Sequence, residues 1–334
     1  MMQDGEGLRL PEGVEAQEKI GHGGVGDVWR GVMKVDGGEI EVAVKTLGSG
    51  ATFEQEELFK HEVEATKKLV DSPSDSCPNL ITVHVCNTET QTIVYEWIEQ
   101  PFVKPTTMSE FVGSLPTIDA LGIVRQMFLA MQQCYAVFRT NGDVKLSNFL
   151  LEKFQDDQGL DCYRLKLTDF SFADVQQLHR GSLGYISLAD LTTGSIVDGS
   201  FEQFYQRRDE YGFYVSVFEL LYGHKPFDIS ENFGDNAMFA SYEYQSRLEE
   251  RKSDFSVKQG SVLSKFKSKT VQPITEFFQR LILEHDKNQS RNENWLQDFE
   301  QELFALLENN DVAGIAEKPA PRFGLFGRWR GGGR

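Results

Sequence analysis

A short polar segment carries three side chains of the kinds that phosphoryl transfer uses. Asp143, Lys145 and Asn148 place a carboxylate, an ammonium and a carboxamide within six residues, directly before the apolar run Phe149-Leu150-Leu151. One turn of the chain could aim all three groups at a phosphoryl group and its metal ion. The same residue types also make ordinary solvated turns, so this segment alone leaves both interpretations open.

A glycine-rich segment near the N-terminus has the spacing of a phosphate-binding loop. Gly21, Gly23, Gly26 and Val28 fit the pattern G-x-G-x-x-G-x-V. Glycines let a hairpin tip bring backbone N–H groups against phosphate oxygens without a Cβ in the way. The segment lies between two predicted strands, and not between a strand and a helix, which disfavours the dinucleotide-binding interpretation of the spacing.

Lys45 ends the apolar strand Val42-Ala43-Val44 that follows the glycine segment. A lysine in that place is often a surface residue whose stem covers apolar neighbours. Because it comes after a candidate phosphate loop, it could instead reach the phosphates.

The elements that must position these residues change in character along the chain. Residues 16–44 alternate between apolar and polar and carry turn signals, which predicts an antiparallel meander. Apolar residues at helical spacing predict an amphipathic helix over 53–70, with two more strands at 80–86 and 92–98. Beyond Pro105 the spacing predicts helices, interrupted by two short strands at 149–151 and 165–167; the helices lie at 118–138, 211–222, 274–283 and 295–307. Strands followed by helices indicate an α+β fold of two lobes.

Pro273 is expected to start the helix over 274–283, because proline suits the first helical position.

Composition bounds the function classes. The formal net charge of −17 over 334 residues argues against binding to DNA or to an acidic membrane. The chain has four cysteines without a C-x-x-C pair, no signal peptide and no apolar run of membrane-spanning length, so we expect a cytoplasmic or nuclear protein. Residues 1–13 are expected to be a flexible N-terminus. The Gly/Arg-rich tail, 309–334, is expected to be flexible, with docking to an acidic partner or RNA as the alternative.

In the order of its motifs, the chain resembles a eukaryotic-type protein kinase over residues 14–308. The segment from Asp209 to Phe227 follows a helix pattern of protein kinases, which argues against small-molecule kinases with a similar catalytic loop. The resemblance implies a small N-terminal lobe (14–98) of antiparallel strands with one helix, and a larger, mainly α-helical lobe (99–308). It also implies ATP as cofactor, Mg²⁺ with Mn²⁺ as an alternative, and a protein substrate, for which the acidic charge favours a basic peptide.

The same resemblance implies a role for each site residue. Asp143 matches the catalytic aspartate, Lys145 the γ-phosphate lysine, and Asn148 and Asp169 the metal ligands. Lys45 matches the phosphate-binding lysine, and Glu62 its partner on the helix, with Glu64 as a neighbour that remains open. The glycines Gly21, Gly23 and Gly26 match the phosphate-binding loop, and Val28, Ala43 and Leu150 would sandwich the adenine ring. Glu96 and Ile98 would bind the adenine at the hinge, with Tyr95 as gatekeeper.

The resemblance to protein kinases also bears on which hydroxyl group accepts the phosphate. Lys145 lies two residues after Asp143, which is the serine/threonine pattern, and Ser182 resembles the threonine that bonds such a lysine and aspartate. The resemblance therefore implies transfer to serine or threonine hydroxyls.

Several departures from the kinase pattern bear on activity and control. Asn141-Gly142 replaces His-Arg, so the arginine that receives an activation-loop phosphate is absent, and phosphorylation there is not expected to be the on-switch. Asn141 and Thr66 put polar groups near Phe170, where the family stacks apolar rings. Ser187-Leu188-Ala189 replaces Ala-Pro-Glu, with Asp190 as a possible substitute partner for an arginine near Arg291, and Ser171 replaces a glycine.

None of these changes removes a group that would touch ATP or the metal ion. The sequence therefore favours an active kinase. The alternatives are a nucleotide-binding pseudokinase or scaffold acting through its surface and tail, and an enzyme that phosphorylates a small molecule.

Overall fold

The computed structural model describes 8–22, 26–70, 77–98, 112, 117–156, 158–174, 182, 184–187, 190, 201–227, 246, 253–285 and 294–308. Gly23, Leu188, Ala189, Arg291, the first seven residues and the tail over 309–334 lie outside the described residues. The predictions made for them therefore stay predictions.

The N-terminal part is a five-stranded antiparallel sheet in the order β1-β2-β3-β5-β4. Its strands are β1 (Val14–His22), β2 (Gly26–Val35), β3 (Gly38–Leu47), β4 (Val83–Asn87) and β5 (Thr92–Glu96). The register places Val28 opposite Lys45 and Ala43 opposite Tyr95. Because side chains alternate between the faces of a strand, Ala43 and Lys45 share one face while Val42 and Val44 are buried on the other.

Helix α1 (Phe53–Val70) packs on this sheet, and its bounds are those that the sequence predicts. Glu54 and Glu56 lie in its first turn and Lys67 and Lys68 in its last, which suits the helix dipole. The predicted core positions, Leu58, Ala65 and Leu69, are all buried.

The other face of the sheet has its own small core. Trp29, Val42, Val44 and Val94 are buried there, and Leu8 and Leu10 pack against them. The described residues before Val14 therefore contribute to the N-terminal core.

The C-terminal part is mainly helical, which confirms the α+β, two-lobed fold. Its helices are α2 (Thr117–Val137), α3 (Phe201–Tyr222), α4 (Ser268–Glu284) and α5 (Trp295–Glu308), and its hairpin consists of β6 (Phe149–Gln155) and β7 (Asp161–Leu167). Every residue from Tyr211 to Tyr222 is buried, as the apolar sequence of that stretch predicts. Aromatic rings from three helices meet in this core: Phe128 lies 5.0 Å from Phe213 and 5.4 Å from Phe299, centroid to centroid.

The prediction that Pro273 starts a helix is wrong. Helix α4 begins at Ser268, and Pro273 lies inside it. A proline here leaves the carbonyl four residues earlier without its helical N–H partner. The polar residues before Pro273, Ser268-Lys269-Thr270, gave no apolar signal for this first turn.

Backbone hydrogen bonds join the two lobes beside the hairpin. The Ile81 N–H donates to the Leu167 carbonyl at 2.9 Å, and the Leu167 N–H donates to the Asn79 carbonyl at 2.8 Å. Through these bonds the strand β7, which leads to Asp169, is held directly against the N-terminal lobe.

The structure also bears on membrane-spanning helices and on disulfide bonds. Within the described ranges, no helix combines the length and the apolar composition that crossing a membrane requires. None of the four cysteines takes part in a disulfide bond.

Candidate active site

Lys45 and Glu62 form a buried ion pair between β3 and α1. Lys45 Nζ lies 2.5 Å from Glu62 Oε1, and the Glu62 side chain is fully buried. Glu64 instead pairs with Lys67 at 2.9 Å on the exposed side of the helix. The geometry therefore selects Glu62, and not Glu64, as the partner of Lys45.

Asp169 lies next to this pair. Its Oδ1 is 3.8 Å from Lys45 Nζ, and its backbone φ of 62° is in the left-handed region, which aspartate tolerates better than most residues. Burial lowers the pKa of Lys45, but the negative charges of Asp169 and Glu62 outweigh it, so the pKa stands above its ordinary value. Burial raises the pKa of Asp169, but Lys45 and a hydrogen bond from Ser171 bring it below its usual range.

Ser171 has a hydroxyl where the kinase pattern has glycine. Its Oγ lies 2.5 Å from Asp169 Oδ1 and 2.8 Å from Glu62 Oε2. The single proton of this hydroxyl is shared between two carboxylates. Ser171 thus adds a link between the helix glutamate and the segment that carries Asp169.

Asp143, Lys145 and Ser182 are brought together as the resemblance implies. Lys145 Nζ lies 2.6 Å from Asp143 Oδ2 and 2.9 Å from Ser182 Oγ. The Ser182 N–H donates to Asp143 Oδ1 at 2.9 Å. These contacts fix the orientation of the Asp143 carboxylate.

Asn148 lies on the other side of the same loop. Its side-chain Nδ2 donates to the backbone carbonyl of Asp143 at 2.9 Å, and its backbone carbonyl accepts the Thr168 N–H at 2.9 Å. The second bond holds Asn148 beside the segment that leads into Asp169, so the two expected metal ligands are neighbours.

These ligands fit Mg²⁺ in their chemistry. Asn148 Nδ2 is engaged, which leaves the carboxamide oxygen as the ligand atom, and Asp169 supplies a partly exposed carboxylate. Among the residues that the structure describes, no group of three or more His, Cys, Asp or Glu side chains could hold a metal ion. A hard cation held by so few protein ligands takes its remaining oxygens from phosphates and water, as Mg²⁺ does.

Asp209 anchors the backbone before the catalytic aspartate. Its two carboxylate oxygens accept the N–H groups of Asn141, at 2.7 Å, and Gly142, at 2.8 Å. Burial raises the pKa of Asp209 to about 7, against the lowering effect of these two bonds. Helix α3, which carries Asp209, approaches the loop closely at Gly212, where a Cβ would lie 2.5 Å from the Val144 carbonyl oxygen.

Gly142 is fitted to its neighbour Phe172. Its φ is +82°, and a Cβ there would lie 2.4 Å from the Phe172 carbonyl oxygen and 2.8 Å from the Phe172 Cβ. No real side chain fits at such distances without displacing the backbone of Phe172. The departure from arginine at this position is therefore a packing requirement in this structure.

Phe170 is stacked in spite of the polar residues near it. Its ring lies 4.9 Å from that of Phe138, at an interplanar angle of 22°. Asn141 is fully buried, and its Oδ1 accepts the Asp143 N–H at 3.2 Å. Phe138, which directly follows α2, therefore supplies the ring that stacks on Phe170. Thr66 is also fully buried.

The residues expected around the adenine are buried to different degrees. Val28, Ala43 and Leu150 are partly buried, and Ile98 is buried. The Tyr95 hydroxyl lies 3.4 Å from Glu62 Oε1, which places the expected gatekeeper next to the ion pair. Glu96 is fixed by Lys166 Nζ at 2.8 Å and by the Thr82 N–H at 2.7 Å.

The glycines of the loop are used in different ways. Gly21 pairs with Val28, and a Cβ there would meet only the Val28 Cβ, at 3.9 Å. At Gly26 a Cβ would lie 2.4 Å from the Thr46 carbonyl oxygen. Gly26 is thus required by strand packing, whereas Gly23 lies outside the described residues.

The sequence did not predict the part that three residues take in the site. Phe138 was predicted only as a core position, and Ser171 only as a mild departure. Lys166 gave no signal, since a lysine in an alternating strand is expected to face water. Its Nζ is buried between Glu96 and the Leu80 carbonyl, which accepts at 3.3 Å.

Comparison with known proteins agrees with this geometry. The family model for the protein kinase domain matches residues 14–289. The chain is 23% identical over 236 residues to the proline-rich receptor-like protein kinase PERK12 of Arabidopsis thaliana, covering 69% of this chain and 30% of that protein.

Other relatives are of the same kind. The chain is 25% identical over 259 residues to the G-type lectin S-receptor-like serine/threonine-protein kinase RLK1 of Arabidopsis thaliana, with 71% of this chain and 27% of the relative covered. It is 26% identical over 219 residues to the LRR receptor kinase SERK2 of Oryza sativa subsp. japonica, with 63% and 33% covered. The chain thus spans about a third of the length of these curated relatives or less. On its fold, its site geometry and the match of the family model, the chain belongs to the eukaryotic-type protein kinase family.

Proposed function

We propose that the chain is an active protein kinase that transfers the γ-phosphate of ATP to serine or threonine hydroxyls of a protein substrate. The observation that carries the proposal is that the expected polar groups meet in two clusters. Lys45, Glu62 and Asp169 form one, and Asp143, Lys145 and Ser182 form the other.

The roles follow from charge and reach. Lys45, held by Glu62, would neutralise charge on the α- and β-phosphates, and Lys145 would do so on the transferred group. Asp143 would orient the substrate hydroxyl and accept its proton. Bound through Asn148 and Asp169, Mg²⁺, or Mn²⁺ in its place, would supply charge neutralisation across the phosphates.

The adenine would lie between Val28 and Ala43 above and Leu150 below, with the Glu96 carbonyl and the Ile98 N–H at the hinge. Glu96 is suited to this role because Lys166 and Thr82 hold its side chain in place. Gly21, Gly23 and Gly26 would close over the phosphates.

Serine/threonine specificity is supported by the contact of Ser182 with both Lys145 and Asp143. The name of one relative, RLK1, includes serine/threonine-protein kinase. A basic peptide is proposed as substrate because the chain carries a net charge of −17.

The domain is proposed to extend over residues 14–308. Helix α5 belongs to it because its rings at Trp295 and Phe299 pack against Phe213 of α3. The Gly/Arg-rich tail beyond it is proposed to be flexible, with docking to an acidic partner as the alternative.

The decisive experiment measures the transfer of radiolabelled phosphate from ATP to the chain itself and to a generic basic protein substrate. Asp143→Ala should lower the transfer rate by about 10²-fold to 10⁴-fold, the usual contribution of a catalytic acid or base. Lys45→Met and Glu62→Gln should each cost about 10²-fold because they misplace the phosphates. Glu64→Gln, two residues along the same helix, is the matched control and should leave the rate unchanged.

Two results would reject the proposal. If the wild type transferred no more phosphate than Asp143→Ala while still binding ATP, the chain would be a nucleotide-binding pseudokinase or scaffold. If ATP were consumed without any phosphoprotein product, the acceptor would be a small molecule.

A further inference from the structure

One side of α1 touches the segment after Asp169 at three points. His61 Nε2 lies 2.8 Å from the Ala173 carbonyl oxygen, and Glu62 Oε2 lies 2.8 Å from Ser171 Oγ. Lys68 Nζ lies 2.7 Å from Asp174 Oδ2. Because Lys68 is two turns beyond His61, these contacts run along one face of the helix.

Asp174 connects this face of the helix to the catalytic loop. While Oδ2 bonds to Lys68, Oδ1 accepts the N–H of Arg139 at 2.8 Å and that of Thr140 at 3.2 Å. These two amides precede Asn141 and Gly142, whose N–H groups bond to Asp209. Four successive backbone amides leading to Asp143 are therefore held by two carboxylates.

The backbone of Asp174 is suited to this task. Its φ is 59°, in the left-handed region, where aspartate and asparagine are enriched among non-glycine residues. In this conformation its own N–H also donates to the Thr140 carbonyl, at 3.3 Å.

Lys68 has a second contact in the same place. Its Nζ lies 5.3 Å from the centroid of the Phe138 ring, within the range of a cation–π interaction. Phe138 stacks on Phe170 at 4.9 Å. One ammonium therefore contacts both the ring stack under Asp169 and the carboxylate that holds the catalytic loop.

We propose that Lys68 and Asp174 are positioning residues for phosphoryl transfer, which together hold α1 and the catalytic loop in their assembled arrangement without a phosphate. This α1 latch (Lys68, Asp174 and the amides of Arg139 and Thr140) rests on the proposed kinase function. It takes the place of an arginine–phosphate contact, because Gly142 has no side chain with which to bind a phosphate. The latch keeps Glu62 in reach of Lys45 and keeps Asp143 opposite them.

The test uses the full chain and five variants, one of which, Lys68→Arg, is a rescue. Lys68→Met and Asp174→Asn each remove the ion pair, and the asparagine keeps an acceptor oxygen for the two amides and tolerates the left-handed φ. The double variant completes a cycle. Lys67→Met is the matched control, since the neighbouring Lys67 pairs with Glu64 on the exposed side.

Each single variant should lower kcat by about threefold to tenfold, and the double variant by no more than that, because coupled residues are not additive. Lys68→Arg should restore kcat, and Lys67→Met should leave it unchanged. Effects that multiplied in the double variant, or an equal loss in Lys67→Met, would overturn the latch.

Hydrogen exchange measured by mass spectrometry tests the same proposal without any activity. Peptides covering 53–70 and 139–143 should exchange faster in Lys68→Met and Asp174→Asn than in the wild type, and no faster in Lys67→Met. Exchange that did not change in either variant would reject the latch. If exchange changed as expected in a chain without transferase activity, the latch would stand and only the proposed function would fail.

Discussion

Gly142 shows how one residue can govern the control of the site. It allows Phe172 to lie against the catalytic loop, and it removes the side chain that would bind a phosphate. The sequence alone shows the second effect. The first depends on the distance of 2.4 Å between an added Cβ and the Phe172 carbonyl oxygen, which no residue pattern reveals.

Gly142→Ala should lower the free energy of unfolding by more than a glycine-to-alanine replacement at an unconfined site does. Backbone strain at positive φ costs about 1–2 kcal/mol, and the clash with Phe172 adds a further ~1–3 kcal/mol. Gly37→Ala is the control, because Gly37 also has positive φ, +105°, but nothing lies within 4 Å of its added Cβ. Urea unfolding of both variants measures the difference, and equal losses would show that Phe172 does not confine Gly142.

The candidate site residues were predicted from the resemblance to protein kinases, and their roles stay predictions, although the structure does bring Lys45, Glu62 and Asp169 together. The structure was needed to choose between Glu62 and Glu64, which differ in which face of one helix they occupy. The structure was also needed to identify Phe138, whose ring stacks on Phe170 although it lies outside the catalytic-loop motif.

At the scale of elements, α3 positions the catalytic loop through a close helix–backbone contact. Asp209 bonds to the loop amides, and Gly212 lets the helix approach Val144. The sequence predicts α3 only from Tyr211, whereas the helix begins at Phe201. Its first turns carry Phe201, Phe204 and Tyr205 at helical spacing, but five polar residues separate them from the apolar run that begins at Tyr211.

Gly212→Ala should lower both stability and activity. The new methyl would meet the Val144 carbonyl oxygen at 2.5 Å, so α3 or the loop must move, at a cost of about 1–3 kcal/mol. Gly122→Ala in α2 is the helical control; nothing lies within 4 Å of its added Cβ, so it should gain about 0.5–1 kcal/mol from helix propensity. Thermal unfolding and the transfer rate are measured together, and a stabilised Gly212→Ala would contradict the close approach.

At the scale of the whole molecule, two buried ionisable groups oppose each other in their effect on stability. His285, at the end of α4, is 7% exposed and packs against Tyr211 and Tyr214. Burial lowers its pKa to about 3, and the charge of Arg207 adds to the shift. Asp209 is shifted the other way, to about 7.

Acid should therefore destabilise the chain through His285. Below the unfolded pKa of 6.5 the unfolded chain binds a proton that the folded chain excludes, so stability is lost as the pH falls. From pH 6.5 to about pH 5 the loss is about 2 kcal/mol. His285→Gln should lack this slope when the free energy of unfolding is measured by urea across that range.

Asp209→Asn tests the opposite sign. The folded carboxyl holds its proton up to about pH 7, while the unfolded one loses it near pH 3.8, so this group makes the folded state less stable as the pH rises between those values. The variant should remove that decline, although it also weakens one of the two amide bonds. A pH profile of unfolding that is unchanged by the substitution would show that Asp209 is ionised throughout.

The fit between Gly142 and Phe172 has an evolutionary consequence. An arginine acquired at 142 would lose this packing in the same step that supplied a phosphate-binding side chain. Control by a loop phosphate is therefore not one substitution away, because the change that would create the receptor also disturbs the loop that carries Asp143.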